Sequence, residues 1–205
     1  MQAARQLAAG LDPREAAERC GVEFAVDETG SGGIFTIPFL GSSERISFPE
    51  LEFGDDSRLP PHVCALLVYY LARCTGSEPS GEWRSFADLP DGRIYAQAFQ
   101  GYTGNALVRR TGGMADKLHA GVVSLGGRLL EPDELATNAD VAWVIPALPK
   151  VPVALVWWDS DDEFPARAEL LFDATASKHL PIDGCAVTGS WLVNLLAADV
   201  ERLRG

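Results

Sequence analysis

The sequence predicts an α+β fold in a single domain: a mixed or antiparallel sheet with packed helices, an N-terminal β meander and a C-terminal helix. Three observations carry this. Ala142 to Ala147 and Val153 to Trp158 are apolar on both alternating faces, the pattern of strands buried between two layers. Val63, Leu66, Leu67, Tyr70 and Leu71 sit near helical spacing, and so do Val187, Trp191, Leu195 and Ala198. Near the start, short β-rich runs are separated by the turn-forming stretches TGSGG and GSS. A chain of 205 residues is long enough to bury one sizeable core.

Taken in order, Gln2 to Cys20 favours helix with a break at Gly10, a restart where Asp12 caps and Pro13 takes the first position, and a stop at Gly21. Val22 to Val26, Ile34 to Phe39 and Arg45 to Phe48 form the meander, closing a first part over residues 1–53. In the second part, residues 54–205, Pro60 and Pro61 open a core helix through Cys74, with His62 in its first turn. The polar stretch from Thr75 to Asp91 carries Trp83 and Phe86, aromatics that must dock on something. Helices are expected over Arg93 to Phe99, Asn105 to Arg110 and Met114 to Leu125, with Arg109 and Arg110 as C-terminal helix charges and His119 facing solvent. The two apolar strands pair as a hairpin across Leu148, Pro149 and Lys150, with Pro146 and Pro152 at ladder ends or edge positions. Ala168 to Phe172 is their third neighbour, and a helix capped by Asp183 closes the chain to about Leu203. The two strand groups join in one mixed sheet or lie in two lobes.

The balance of 29 acidic against 17 basic side chains repels phosphate backbones, which argues against a nucleic-acid partner. The first residues carry no apolar leader, and no stretch approaches the roughly 18 apolar residues of a membrane span, so no membrane association and a cytoplasmic location are expected. Cys20, Cys64, Cys74 and Cys185 form no CxxC pair and read as reduced structural thiols.

Chemistry concentrates between Val151 and Pro181. Asp159, Asp161 and Glu163 follow a buried strand and resemble the opening of a calcium loop, but the central glycine is missing and the twelfth position is Leu170. With His179 they are weak metal candidates; the plain alternative is a solvated acidic turn. His179, close to Asp173, Ser177 and Lys178, suits acid-base work or the holding of a loop before Pro181. No nucleophile accompanies it, since Ser190 lacks the GxSxG context and Cys185 sits on an apolar helix. If the GEW loop folds over the strand end, Trp83, Phe86, Trp157, Trp158 and Phe164 wall a pocket; otherwise they form a satellite core.

At GEWRSFADLP (Gly81 to Pro90) and DDEFPARAELLFDATASKHLP (Asp161 to Pro181) the chain resembles an uncharacterised prokaryotic family, domain of unknown function 3786. The resemblance runs from about Phe48 to Leu196. It implies members mostly from anaerobes, some with a cysteine-rich iron–sulfur module like those of corrinoid proteins, whose cysteines this chain lacks. It supplies no catalytic residue, and implies that Gly81, Glu82, Trp83, Phe86, Asp162, Glu163, Phe164, Pro165, His179 and Pro181 form one surface.

The leading expectation is therefore an accessory or binding domain with a small-molecule or protein partner and an unknown cofactor. Its site would be a cleft of Trp83, Phe86, Trp158, Asp161, Asp162, Glu163, Phe164 and His179 between the GEW and DDEFP loops. The alternatives are a metal-dependent hydrolase or lyase using Asp159, Asp161, Glu163 and His179, and a homodimer or partner-docking scaffold.

Overall fold

The computed structural model describes residues 6, 8, 10–28, 30–131, 134–135 and 137–202. Most of the helix expected before Gly10, and the helix end at Leu203, lie outside them.

Helix α1 (Pro13–Cys20) begins where the Asp12 carboxylate accepts the N–H groups of Arg14 at 2.9 Å and Glu15 at 3.0 Å, and ends at Gly21. Strands β1 (Glu23–Val26), β2 (Gly33–Phe39) and β3 (Ser42–Phe48) follow as an antiparallel meander. Alternation on β2 buries Phe35, Ile37 and Phe39 completely or nearly so. Phe24 and Phe48 pack on Phe35 with ring centroids 4.7 and 6.1 Å away.

Helix α2 (Pro61–Arg73) buries Val63, Leu66, Leu67, Tyr70 and Leu71, the face its spacing predicts, and its chain turns to extended backbone at Cys74. After β4 (Trp83–Ser85) and two 3₁₀ turns come α3 (Ala96–Tyr102), α4 (Gly104–Thr111) and α5 (Asp116–Ser124). His119 on α5 is exposed, and its Nδ1 accepts the indole N–H of Trp143 at 3.3 Å.

The main sheet has the order β4-β8-β7-β6-β5, with every pair antiparallel. Its strands are β5 (Arg128–Leu129), β6 (Val141–Leu148), β7 (Val151–Trp158) and β8 (Arg167–Asp173), with β4 at the other edge. Central β7 is buried on both faces, as its unbroken apolar run requires. Pro146 and Pro152 face each other beside the β6–β7 turn, where a bulge shifts the register, so neither interrupts the central ladder.

The meander and the main sheet are two sheets over one continuous apolar core, not one mixed sheet. Leu40, just past β2, donates its N–H to the Ala147 carbonyl of β6 at 3.1 Å.

Helix α6 (Ile182–Arg202) corrects two expectations. It starts at Ile182, so Asp183 lies in its first turn rather than at the cap. Its most buried stripe is Cys185, Thr188, Leu192, Val193, Leu196 and Val200, while Val187, Trp191, Leu195 and Ala198 are half-buried beside it. The helix is apolar around most of its circumference, so two stripes of the same period coexist. The small residues Gly184, Thr188 and Gly189 decide which one approaches the core.

Candidate functional site

Antiparallel register fixes where each candidate residue falls. Trp158 pairs with Arg167 at one end of the β7–β8 ladder, and Trp83 pairs with Asp173 at the far end of β8. The six steps from Arg167 to Asp173 span roughly 20 Å at ~3.3 Å per residue. The single cleft expected between the GEW and DDEFP loops is therefore divided. Asp159, Asp161, Asp162, Glu163 and Phe164 lie at the Trp158 end, and Trp83 and His179 at the other. A strand is stiff, so neither loop can cross that length.

At the Trp158 end is a cleft of about 620 Å³ lined by Asn138, Asp140, Trp158, Asp161, Phe164 and Arg167, among others. The DDEFP turn is built by Asp161, whose N–H reaches the Phe164 carbonyl at 2.9 Å. Its Oδ1 accepts the N–H groups of Glu163 at 2.8 Å and Phe164 at 2.7 Å. Pinned in this way, Phe164 holds its ring outward at 66% exposure. Asp140 Oδ2 accepts the Asp159 N–H at 2.8 Å, and Asp159 Oδ1 accepts the Trp157 indole N–H at 2.8 Å. Each of these three aspartates keeps its second oxygen without a hydrogen bond from the described residues. Arg167 stacks its guanidinium 4.0 Å from the Trp158 ring centroid and pairs with Glu169 at 3.1 Å. Asp162 and Glu163 are exposed and do not line this cleft.

Along β8 the cleft continues into a second hollow of about 390 Å³ under Phe86, Phe99 and Gln100, with Asn105 and Arg167 common to both. This hollow exists because β4 covers only Leu171 to Asp173 of the β8 edge. Gln100 Nε2 donates to the uncovered Ala168 carbonyl at 2.8 Å. Phe86 is docked rather than open, stacked on Phe99 with centroids 4.0 Å apart.

The other end is organised by Asp173. Asp173 is fully buried and accepts from Ser80 N at 3.1 Å, Gly81 N at 2.7 Å, Thr175 N at 2.8 Å and Thr175 Oγ1 at 2.7 Å. Burial pushes its carboxyl up, but the bonds from Thr175, Ser80 and Gly81 outweigh that and hold it below the ordinary value. His179 does not bond Asp173: its Nδ1 lies 3.2 Å from Cys74 Sγ, and the ring is 1% exposed. Metal chemistry by Asp159, Asp161, Glu163 and His179 is not supported, because the carboxylates and the imidazole lie at opposite ends. Among the described residues no group of three or more His, Cys, Asp and Glu is arranged to hold a metal ion.

Sequence reasoning missed Cys20 and Cys74 as a pair. Both stand at helix ends, the one signal available, but only the packing of α1 on α2 brings them together.

The fold and this cleft define an α+β domain built on two antiparallel sheets, with an acidic and aromatic hollow at one strand end. The chain belongs to the family described as Domain of unknown function (DUF3786), which it matches over residues 12–195. The match begins at the cap of α1, so the family unit includes the meander and is longer than the stretch carrying the two motifs. No curated protein and no solved structure matches the chain. Among the described residues, no helix is long and apolar enough to cross a membrane.

Proposed function

We propose that this chain is a non-catalytic binding domain that takes a small organic cation in the cleft of Asp140, Trp158, Asp161, Phe164 and Arg167. One observation carries the reading. Three aspartates are fixed by backbone and indole hydrogen bonds through one oxygen, and each leaves its other oxygen without a bond from the described residues, in a cleft that Trp158 and Phe164 also line. Their combined charge exceeds that of Arg167, which is already paired with Glu169. A positively charged or donor-rich group is favoured there, and Phe164 offers a flat apolar face to the rest of the molecule. A volume of about 620 Å³ suits a ligand of that size.

A thermal-shift screen of amine-bearing aromatics beside neutral isosteres, with corrinoids, flavins and nucleotides included, tests this. A ligand that binds the folded state alone raises its stability by about 2.7 kcal/mol at a hundredfold excess over Kd. Asp161→Asn keeps the Oδ1 acceptor that builds the turn but removes the charge, and it is expected to abolish the shift given by amines. If the neutral isosteres stabilise equally, or Asp161→Asn binds unchanged, the reading is wrong.

A further inference from the structure

We propose that Cys74 and Cys20 form a two-thiol oxidation site for hydroperoxides, with Cys74 as the reactive sulfur, Cys20 as the resolving one and His179 as proton carrier. The site lies at the Asp173 end of the molecule and is independent of the cleft.

Cys20 ends α1 and Cys74 follows α2, and each thiol reaches a carbonyl beside the other: Cys20 Sγ lies 3.6 Å from the Tyr70 oxygen, and Cys74 Sγ lies 3.5 Å from the Arg19 oxygen. Cys74 Sγ also meets His179 Nδ1 at 3.2 Å and receives the N–H of Gly76. Gly76 can supply that N–H because its φ is +79°, a left-handed turn in which a side chain would be strained. His179 and Gly76 thus face the Cys74 sulfur, while Arg19 and Lys150 bring positive charge beside Cys20. Cys74 is lowered, first by the neighbouring Cys20 thiol and then, against the cost of burial, by His179 and Gly76; Cys20 is raised by the same neighbour and by burial. Cys64 and Cys185 have no such surroundings, and burial pushes both up.

His179 Nε2 is the second observation. It lies on the ring edge away from Cys74, is buried and has no hydrogen-bond partner among the described residues, which leaves that nitrogen free to take up or pass on a proton. The proposed access is through the turn after Cys74. Cys74 is 1% exposed, but Thr75 is exposed and Gly76 and Ser77 half-buried. That loop is held down by Glu78 on Lys150 and by Ser80 and Gly81 on Asp173.

The chemistry balances. The Cys74 thiolate attacks one peroxide oxygen, an S–O bond forms, the O–O bond breaks, and the departing hydroxide takes the proton held on His179 and leaves as water. Cys20 then attacks the Cys74 sulfenic acid, the S–O bond breaks, and hydroxide leaves with the Cys20 proton as a second water. Two electrons pass from the sulfurs to the peroxide, and a Cys20–Cys74 disulfide remains.

The test treats the reduced full chain with hydrogen peroxide and maps the products by peptide mass analysis. The expected result is one intramolecular disulfide between Cys20 and Cys74, formed at least about tenfold faster in the folded chain than in urea, because the fold supplies the thiolate. Cys20→Ser should stop at a Cys74 sulfenic acid that a 1,3-dione traps. His179→Gln should slow the first step, and Cys64→Ser should change nothing. Oxidation no faster than in urea, a disulfide through Cys64 or Cys185, or no disulfide at all would overturn the proposal; the unmodified chain alone decides it, whether or not a variant folds.

Discussion

Asp173 shows how one residue can hold an end of the molecule. It gathers backbone and hydroxyl donors from Ser80, Gly81 and Thr175, so it ties the strap before β4 to the end of β8. Asp173→Ala leaves the two donors of buried Thr175 unpaired and frees the strap at Ser80 and Gly81, and is expected to cost about 3 kcal/mol in urea unfolding at neutral pH. Because its folded pKa is depressed, its contribution is fully present above the unfolded value of about 3.9 and is lost as pH falls through the lower folded value. Comparing the pH dependence of unfolding with that of Asp173→Asn checks the sign: the variant should lack this acid-side loss. Tyr70 acts similarly, donating its hydroxyl to the Cys20 carbonyl at 2.7 Å and accepting the Lys150 N–H at 3.2 Å. Tyr70→Phe strands both groups and should cost about 2 kcal/mol, measured by the same unfolding experiment.

Among the elements, the stretch of the β8 edge beyond the reach of β4 is the informative one. The α3–α4 junction covers it closely enough that a Cβ on Gly104 would sit 2.0 Å from the Ala168 carbonyl oxygen. Gly104→Ala must therefore push α4 off the strand, and a loss of about 2 kcal/mol is expected in thermal or urea unfolding. Asn105 follows Gly104 and lines both hollows, so the same substitution should also weaken ligand binding at the cleft. Arg167→Ala, in contrast, removes an exposed guanidinium from the Trp158 face. Its stability cost should stay near ~0.5 to 1 kcal/mol, while the intrinsic fluorescence reports the uncovered indole.

On the scale of the whole molecule, the meander and the main sheet share one core through Phe35, Ile37, Phe39 and Ile145. Neither would keep its buried face dry alone. A single unfolding transition is expected, with tryptophan fluorescence, which reports only the part after Phe53, coinciding with far-ultraviolet circular dichroism, which reports both. Two separated midpoints would show that the meander is an independent unit.

Local patterns settled most elements before any contact was known. Asp12, Pro13 and Gly21 marked both ends of α1, Val63 to Leu71 marked the buried face of α2, and the unbroken apolarity of β7 marked it as central; each signal lies within a few residues of the structure it specifies. Signals on α6 were less decisive, since an almost wholly apolar helix does not say which stripe faces inward. The site was half legible. Asp161, Phe164 and Trp158 are close in sequence and lie together, but Trp83 and His179 were grouped with them on sequence motifs, and the register of β8 sends them to the far end. The sequence by itself determined the α+β class, the order of the elements and the acidic turn, because these rest on short-range periodicity and turn chemistry. Only the tertiary structure decided that Cys20, Cys74 and His179 meet, and that the cleft opens beside Arg167 rather than beside Trp83. Strand register and helix packing join residues fifty or more positions apart, and no local pattern encodes that distance.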